Sequence, residues 1–461
     1  MLKFDEHTRT MMREEHLFPL RDIPEPELFR DQFPYEELPK IVFNHRRTPM
    51  FPAEELWITD TSFRDGMQSM PPYSPEQIAA IYEMLSKLGG PRGMVRQCEF
   101  FLYTDRDKQA VRLCQEKGLR FPEITGWIRA KKEDFKVVKE LGLKETGILT
   151  SASDYHIFLK LKKSRKEAMD MYLDIAERAL DEGITPRCHF EDITRADYYG
   201  FVVPFAAALM DLADKYDNPV KIRLCDTMGY GVPYPGASLP RSVPGIVYGM
   251  QYYADVPSEW LEWHGHNDFH KALVNASTAW MYGCSAANCS CFGIGERTGN
   301  PPLEGMAVEY GMLRGDLNGM DLSAVTDLYY FYQDEIKAGI NKRYPLSGED
   351  FNVTRAGIHA DGLIKNPEIY NPFDTERILN RPFGVSITDK CGAAGIAAWI
   401  NMHMRLKKED QVKKTDDGVL SIKDQVDQEF AAGRTQVMSD EEMHELIRQK
   451  LPEVAKTAGL K

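Results

Sequence analysis

Three short polar clusters in this sequence carry side chains that could do chemistry together. DTSFRDGMQ (60–68) sets an always-charged guanidinium, Arg64, beside a carboxylate, Asp65, with Gly66 as a permissive turn residue after them. HGHND (264–268) spaces His264 and His266 two residues apart, so on an extended strand both rings point to one face. GIGERTGN (293–300) is a glycine-rich turn leading to Asn300. Two imidazoles and a carboxylate make a mixed nitrogen and oxygen site for a divalent cation, to which Asn300 could add an oxygen. Each cluster alone has a plainer reading: a hydrogen-bonded or surface histidine pair, a turn, a tight loop. The chemistry follows only if the fold brings the three together.

The elements that would do so repeat eight times. Strand-like runs occupy 56–62, 94–101, 119–125, 143–151, 184–192, 220–226, 259–266 and 286–295, with helical spacing between them. SPEQIAAIYEMLSKLGG, for instance, opens on Ser74-Pro75 and stops at Gly89. Strands alternating with helices of this length imply βαβ units, and eight of them favour a closed (β/α)8 TIM barrel. No GxGxxG follows the first strand, which counts against an open dinucleotide-binding sheet. All three polar clusters then close a strand, at the end where barrel enzymes keep their active sites.

We expect three parts: an N-terminal extension over 1–53, the barrel over 54–318, and a linker with a mainly helical subdomain over 319–461. The formal charge of −13 argues against nucleic-acid or anionic-membrane partners, and an anionic substrate would need a local basic site. No run approaches the roughly 20 apolar residues of a membrane span. The start, MLKFDEHTRTMMREEH, lacks the apolar core of a signal peptide, and eight cysteines without a CxxC pair suit reduced thiols. A cytoplasmic protein is expected.

DTSFRDGMQ resembles the DTTLRDGEQ signature of the isopropylmalate and homocitrate synthases, with Phe63 for the usual Leu and Met67 for the usual acid. HGHNDFHKALVNASTAWMYG and FGIGERTGNPPLEG resemble that family's strand-seven and strand-eight segments, and CDTMGYGVP (225–233) its turn after strand six. The chain is thus similar, over about 56–372, to the acetyl-CoA-dependent 2-oxo-acid condensing enzymes of the DRE-TIM metallolyase superfamily. Related biotin-dependent carboxyltransferases carry a modified lysine where Cys225 stands here. Hydroxymethylglutaryl-CoA lyases carry a cysteine in the strand-eight loop, which reads ERTGN here. Cys289 and Cys291 precede that loop and are expected to pack.

The resemblance implies a metal held by Asp65, His264 and His266, with Asn300 as a possible further ligand. The ion would be Mn²⁺ or Mg²⁺, with Zn²⁺ as the alternative. It implies Arg64 as an oxyanion stabiliser and substrate contact, joined at the substrate by Gln68 and Thr227. CHFEDITR (188–195) resembles the segment with the catalytic glutamate, here Glu191. AGIHADGLIKNPEIY resembles the linker motif, placing a catalytic histidine at His359 and a partner tyrosine at Tyr370, supplied across an intertwined homodimer. Arg187 and His189 share the inward face of strand five with Glu191 and could meet a second substrate carboxylate; alternatively Arg187 is buried and paired with an acid. The short charged tail and the FRDG variant look most like the Re-type citrate synthases. The expected activity is acyl transfer from acetyl-CoA to oxaloacetate, giving citrate; homocitrate or 2-isopropylmalate synthesis, or more distantly a lyase or aldolase reaction, stand as alternatives.

Overall fold

The computed structural model describes residues 2–5, 9–13, 18–407 and 409–460. Its centre is a closed barrel of eight parallel strands: β1 Trp57–Asp60, β2 Val95–Phe100, β3 Glu123–Ile128, β4 Glu145–Ser151, β5 Thr185–Glu191, β6 Lys221–Asp226, β7 Leu261–Gly265 and β8 Ala286–Cys289. Neighbours in sequence are neighbours in the sheet, and β8 closes on β1 through Ala286 opposite Trp57 and Cys289 opposite Asp60. The third run falls later than the sequence suggests. Pro122 cannot donate to a parallel ladder, so pairing begins at Glu123 and continues through Gly126 to Ile128. The eighth strand stops at Cys289, because the chain then turns through Cys291–Gly293, with Phe292 at φ 54°.

Alternation along each strand sorts the side chains. On β5, Cys188 and Phe190 face outward, where Phe190 stacks on Phe205 of the following helix, ring centroids 4.8 Å apart. Arg187, His189 and Glu191 therefore face inward. On β6 the outward residues are Ile222 and Leu224, and the inward ones Arg223 and Cys225. The apolar core lies between strands and helices, while the barrel interior holds a buried ionic layer. The helix Pro75–Gly89 begins as its sequence demands: Ser74 and Gln77 form a capping box around Pro75.

The chain divides into two compact units, 1–324 with 334–338, and 325–333 with 339–461. In the first unit the N-terminal segment is tied to loops at the carboxyl ends of the strands. Tyr155 Oη donates to the Leu28 carbonyl at 2.7 Å, the Glu27 amide to Asp154 Oδ2 at 2.8 Å, and the Ser238 amide to the Val42 carbonyl at 2.8 Å. The second unit is mainly helical. Its core gathers Ile396, Ile400, Val419, Ile422, Val426, Met443 and Ile447 from the helices Gly392–His403, Asp417–Ala431 and Asp440–Lys450. Among the described residues no helix is long and apolar enough to cross a membrane.

Candidate active site

After β1 the backbone enters one wide turn, Ser62–Gly66, fixed by the buried Phe63 ring against Phe100 at 4.9 Å. This turn presents Arg64 and Asp65. Gly66 has helical φ −57° and only ordinary contacts at its Cβ position, the nearest at 3.6 Å, so its conformational freedom is not used, contrary to the sequence reading. His264 and His266 rise from the end of β7 on one face. Asp65, His264 and His266, all buried, bring one potential ligand atom each within 4.8 Å of the others. His264 Nε2 lies 3.3 Å from His266 Nε2 and 3.2 Å from Asp65 Oδ2.

The proton positions follow from the neighbours. His264 Nδ1 lies 2.7 Å from Asn288 Oδ1, an acceptor, so the ring proton sits there and Nε2 presents a lone pair. Asn288 is held in turn, its Nδ2 donating to Thr59 Oγ1 at 2.9 Å, and Thr59 donates to Glu262. Burial pushes the His264 imidazolium down to about 3 and lowers His266 as well, so both rings are neutral near pH 7. Burial works against ionised Asp65, but Arg64, His264 and His266 outweigh it and hold the carboxyl below its usual range.

Two neutral imidazole rings and a carboxylate thus converge, with His264 Nε2 presenting its lone pair to the other two. Nitrogens about 2.0–2.1 Å from a shared ion sit roughly 3–3.4 Å apart, which the 3.3 Å spacing matches. The donor set fits a divalent cation. Asn300 adjoins it: Nδ2 is 3.4 Å from Asp65 Oδ2 and 3.2 Å from the Gly265 carbonyl, while its buried Oδ1 has no partner. Rotation of this amide would turn that oxygen toward Asp65. The loop can return Asn300 here only because residue 299 is glycine. Gly299 has φ +88°, and a Cβ there would lie 1.8 Å from the Gly293 carbonyl oxygen.

Arg64 is immobilised on two acids. Nε donates to Glu99 Oε2 and Nη1 to Asp65 Oδ1, both at 2.9 Å, and the guanidinium lies over the Trp127 ring. Glu99 also accepts from Arg223 Nη1 at 2.8 Å; burial opposes its charge, but Arg223, Arg64 and Arg187 hold it at about 2.

Glu191, at the end of β5, accepts from Ser151 Oγ at 2.6 Å and lies 2.9 Å from His156 Nδ1 and 3.6 Å from Lys160 Nζ. Burial would raise its carboxyl, but His156, Ser151 and Lys160 prevail and hold it at about 2. Thr227 Oγ1 accepts from the Asp192 amide at 2.8 Å, joining the turns after β5 and β6, and Gln68 is exposed. His359 and Tyr370 lie in the second unit, both exposed, with ring centroids 4.3 Å apart. GIHADG opens a helix, Gly357–Lys365, where bare Gly362 admits the Tyr370 ring.

Of the two readings of Arg187, the structure shows the buried, acid-paired one. The Arg187 guanidinium is buried in the ionic layer, pairing with Glu145, donating to Gln97 Oε1 at 2.9 Å and to Glu262 Oε2 at 3.2 Å. No donor is left for a distal carboxylate. Burial and the neighbouring arginines push His189 well below its usual range, so it is an uncharged ring and not a cation. Sequence reading missed Asn288, Glu99 and His156. Asn288 was visible as a polar residue in the otherwise apolar strand AANC, whereas Glu99 shares VRQCEF with two other polar residues and His156 lies in a short helical turn, Tyr155–Lys160, after β4.

An eight-stranded parallel barrel with a two-histidine, one-carboxylate cluster and a fixed guanidinium at its mouth defines the class of site. The chain belongs to the HMGL-like family, whose model matches residues 55–331. It is 57% identical over 449 residues to a Citrate (Re)-synthase of Syntrophus aciditrophicus, covering 97% of this chain and 71% of that one. It is 54% identical to the Citrate (Re)-synthase of Clostridium kluyveri, covering 95% and 96%. A 2-phosphinomethylmalate synthase of Streptomyces hygroscopicus is 36% identical, covering 92% and 96%.

Proposed function

We propose that this chain is an acyltransferase that condenses acetyl-CoA with oxaloacetate, giving citrate and free CoA. In this reaction the acetyl methyl loses a proton and bonds to the ketone carbon, the ketone oxygen becomes a hydroxyl, and water cleaves the thioester. One observation carries the reading. A cation-ready cluster beside an immobilised arginine sits at the barrel mouth, in a chain more than half identical, across nearly all its length, to two proteins named Citrate (Re)-synthase.

Asp65, His264 and His266 would hold a divalent ion, with Asn300 beside them; Mn²⁺ or Mg²⁺ is our choice and Zn²⁺ the alternative. When bound, the ion supplies Lewis acidity and a template for the 2-oxo carboxylate. The rest is the work of the chain's own side chains. Arg64, with Nε and Nη1 fixed on acids, keeps Nη2 free to donate to the oxygen that gains charge as the new bond forms. That orientation is set in advance and need not reorganise during the reaction. Glu191 is held too acidic, at about 2, to be an effective base itself. It suits orientation of an imidazole, which can exchange protons near neutral pH. His359, with Tyr370 against it, is assigned that exchange, supplied in a homodimer by the neighbouring subunit. Thr227 is assigned to contact the substrate carboxylate, and Gln68 to the rim. A cytoplasmic enzyme is proposed.

Thiol release from acetyl-CoA against a panel of 2-oxo acids tests the reading. Oxaloacetate should give the highest kcat/KM, and a tenfold preference for 2-oxoglutarate or 2-oxoisovalerate would remove the citrate assignment while keeping the condensation.

A further inference from the structure

A second concave site lies in the first unit, apart from the Asp65–His264–His266 cluster. It is a cavity of about 600 Å³ between residues 44–49, the turn after β5 at 196–199, the turn after β6 at 237–240, and the helix Val243–Ala254. That volume is in the range of small-ligand sites. Its walls pair cations with aromatic rings. Arg46 and Arg47 line it, and neither has an ion pair among the described residues. Among the described residues the one acid on its wall, Asp197, is already engaged by Arg165 Nη1 at 2.9 Å and by Arg21 Nη2. Tyr199 and Tyr253 line it edge to face, 5.8 Å apart centroid to centroid, with Phe18 packed on one flank of both at 4.7 and 5.1 Å and Tyr248 beside them. Arg46 and Tyr253 both interact with the Tyr199 hydroxyl.

The basic segment is built in. Phe43 bridges Ala237 in antiparallel fashion, and the amides of Asn44 and His45 donate to the Gly236 carbonyl at 3.1 and 3.2 Å. The Arg46 amide then donates to Asn44 Oδ1 at 3.0 Å. In a chain of net charge −13, two arginines with no carboxylate partner among the described residues make a place for an anion. Guanidinium groups match phosphate oxygens two at a time, and tyrosine rings offer faces to a flat base. Two of the turns bounding the cavity follow the strand ends that carry Glu191 and Thr227.

We propose that this cavity seats the phosphorylated adenosine end of the acyl donor, with Arg46 and Arg47 on its phosphates and Tyr199 and Tyr253 against its base. Naming the donor as the source rests on the function proposed above; a free adenine nucleotide shares the chemistry. The test titrates adenosine 3′,5′-bisphosphate into the full chain and into the Arg46→Ala, Arg47→Ala double variant, with thermal melts to confirm that both are folded. Two charge-assisted contacts should weaken binding by about tenfold or more when removed. Acetyl-CoA should displace the bisphosphate from the wild-type chain, and the double variant should raise KM for acetyl-CoA by a similar factor while moving KM for the 2-oxo acid less than twofold. Unchanged binding in the double variant overturns the site. Binding of AMP or ATP that acetyl-CoA does not displace overturns the donor assignment in favour of a free nucleotide. Arginine-dependent binding of bisphosphate and acetyl-CoA, without thiol release for any 2-oxo acid, keeps the cavity and sinks the condensation.

Discussion

Replacing Asn288 with leucine removes the group that sets the His264 proton while leaving the Asp65, His264 and His266 ligand atoms in place. Asn288 Oδ1 accepts from His264 Nδ1 at 2.7 Å in a fully buried setting. Without it, the ring has two poor choices. Keeping the proton on Nδ1 strands a buried donor, at a cost of about 1–3 kcal/mol. Moving it to Nε2 aims an N–H at the atoms of His266 and Asp65, now 3.3 and 3.2 Å away, and removes the lone pair a cation needs. Either route weakens metal binding by about 10–100-fold, on the order of 1.4–2.7 kcal/mol. Mn²⁺ titrated calorimetrically into metal-free protein measures this directly. Asn288→Asp, which keeps an acceptor, should retain affinity and so separates the hydrogen bond from packing. A folded Asn288→Leu chain that binds Mn²⁺ within twofold of wild type would refute the proposed tautomer control.

Three further outcomes follow from the same geometry. The Glu191 carboxyl is depressed to about 2 from 4.5, so the stability it contributes is present above pH 4.5 and lost as pH falls toward 2; Glu191→Gln should flatten this acid limb by up to about 3 kcal/mol in denaturant titrations. Arg187→Leu should destabilise by about 1.5–3 kcal/mol, read as a fall in Tm, because it takes one of two cationic partners from each of Glu145 and Glu262, which keep Lys221 and Arg223, yet leave KM for the 2-oxo acid within twofold. His359→Ala should keep metal and 2-oxo-acid binding and lose about 10²–10⁴-fold in kcat; mixing it with inactive Asp65→Asn chains should restore part of the activity if one subunit serves its neighbour.

The barrel was legible because its signal is repeated: strand-like runs recur at a regular spacing and several helices carry their own capping boxes, as at Ser74, Thr104 and Ser164. The cluster was legible because the two-residue step from His264 to His266 translates directly into a shared face. Long-range charge pairing left no such mark. Whether Arg187 faces substrate or Glu262 depends on which strands meet across the interior, and 75 residues separate that pair in sequence. The same holds for His156 and Glu191, which meet only because β4 and β5 are adjacent. The shift of the third strand turned on local chemistry instead, since a proline at 122 looked compatible with a strand until pairing direction was known.

The central claim is carbon–carbon bond formation between acetyl-CoA and oxaloacetate at the barrel mouth, and isotope tracing tests it most directly. Metal-loaded protein would be given acetyl-CoA labelled in the acetyl group together with oxaloacetate, and the product cleaved by a stereospecific citrate lyase. The account predicts labelled citrate, formed only with metal present, whose label lies in the arm added from the Re face. Unlabelled oxaloacetate returned without citrate would contradict the condensation, and label in the opposite arm would contradict the stereochemical assignment.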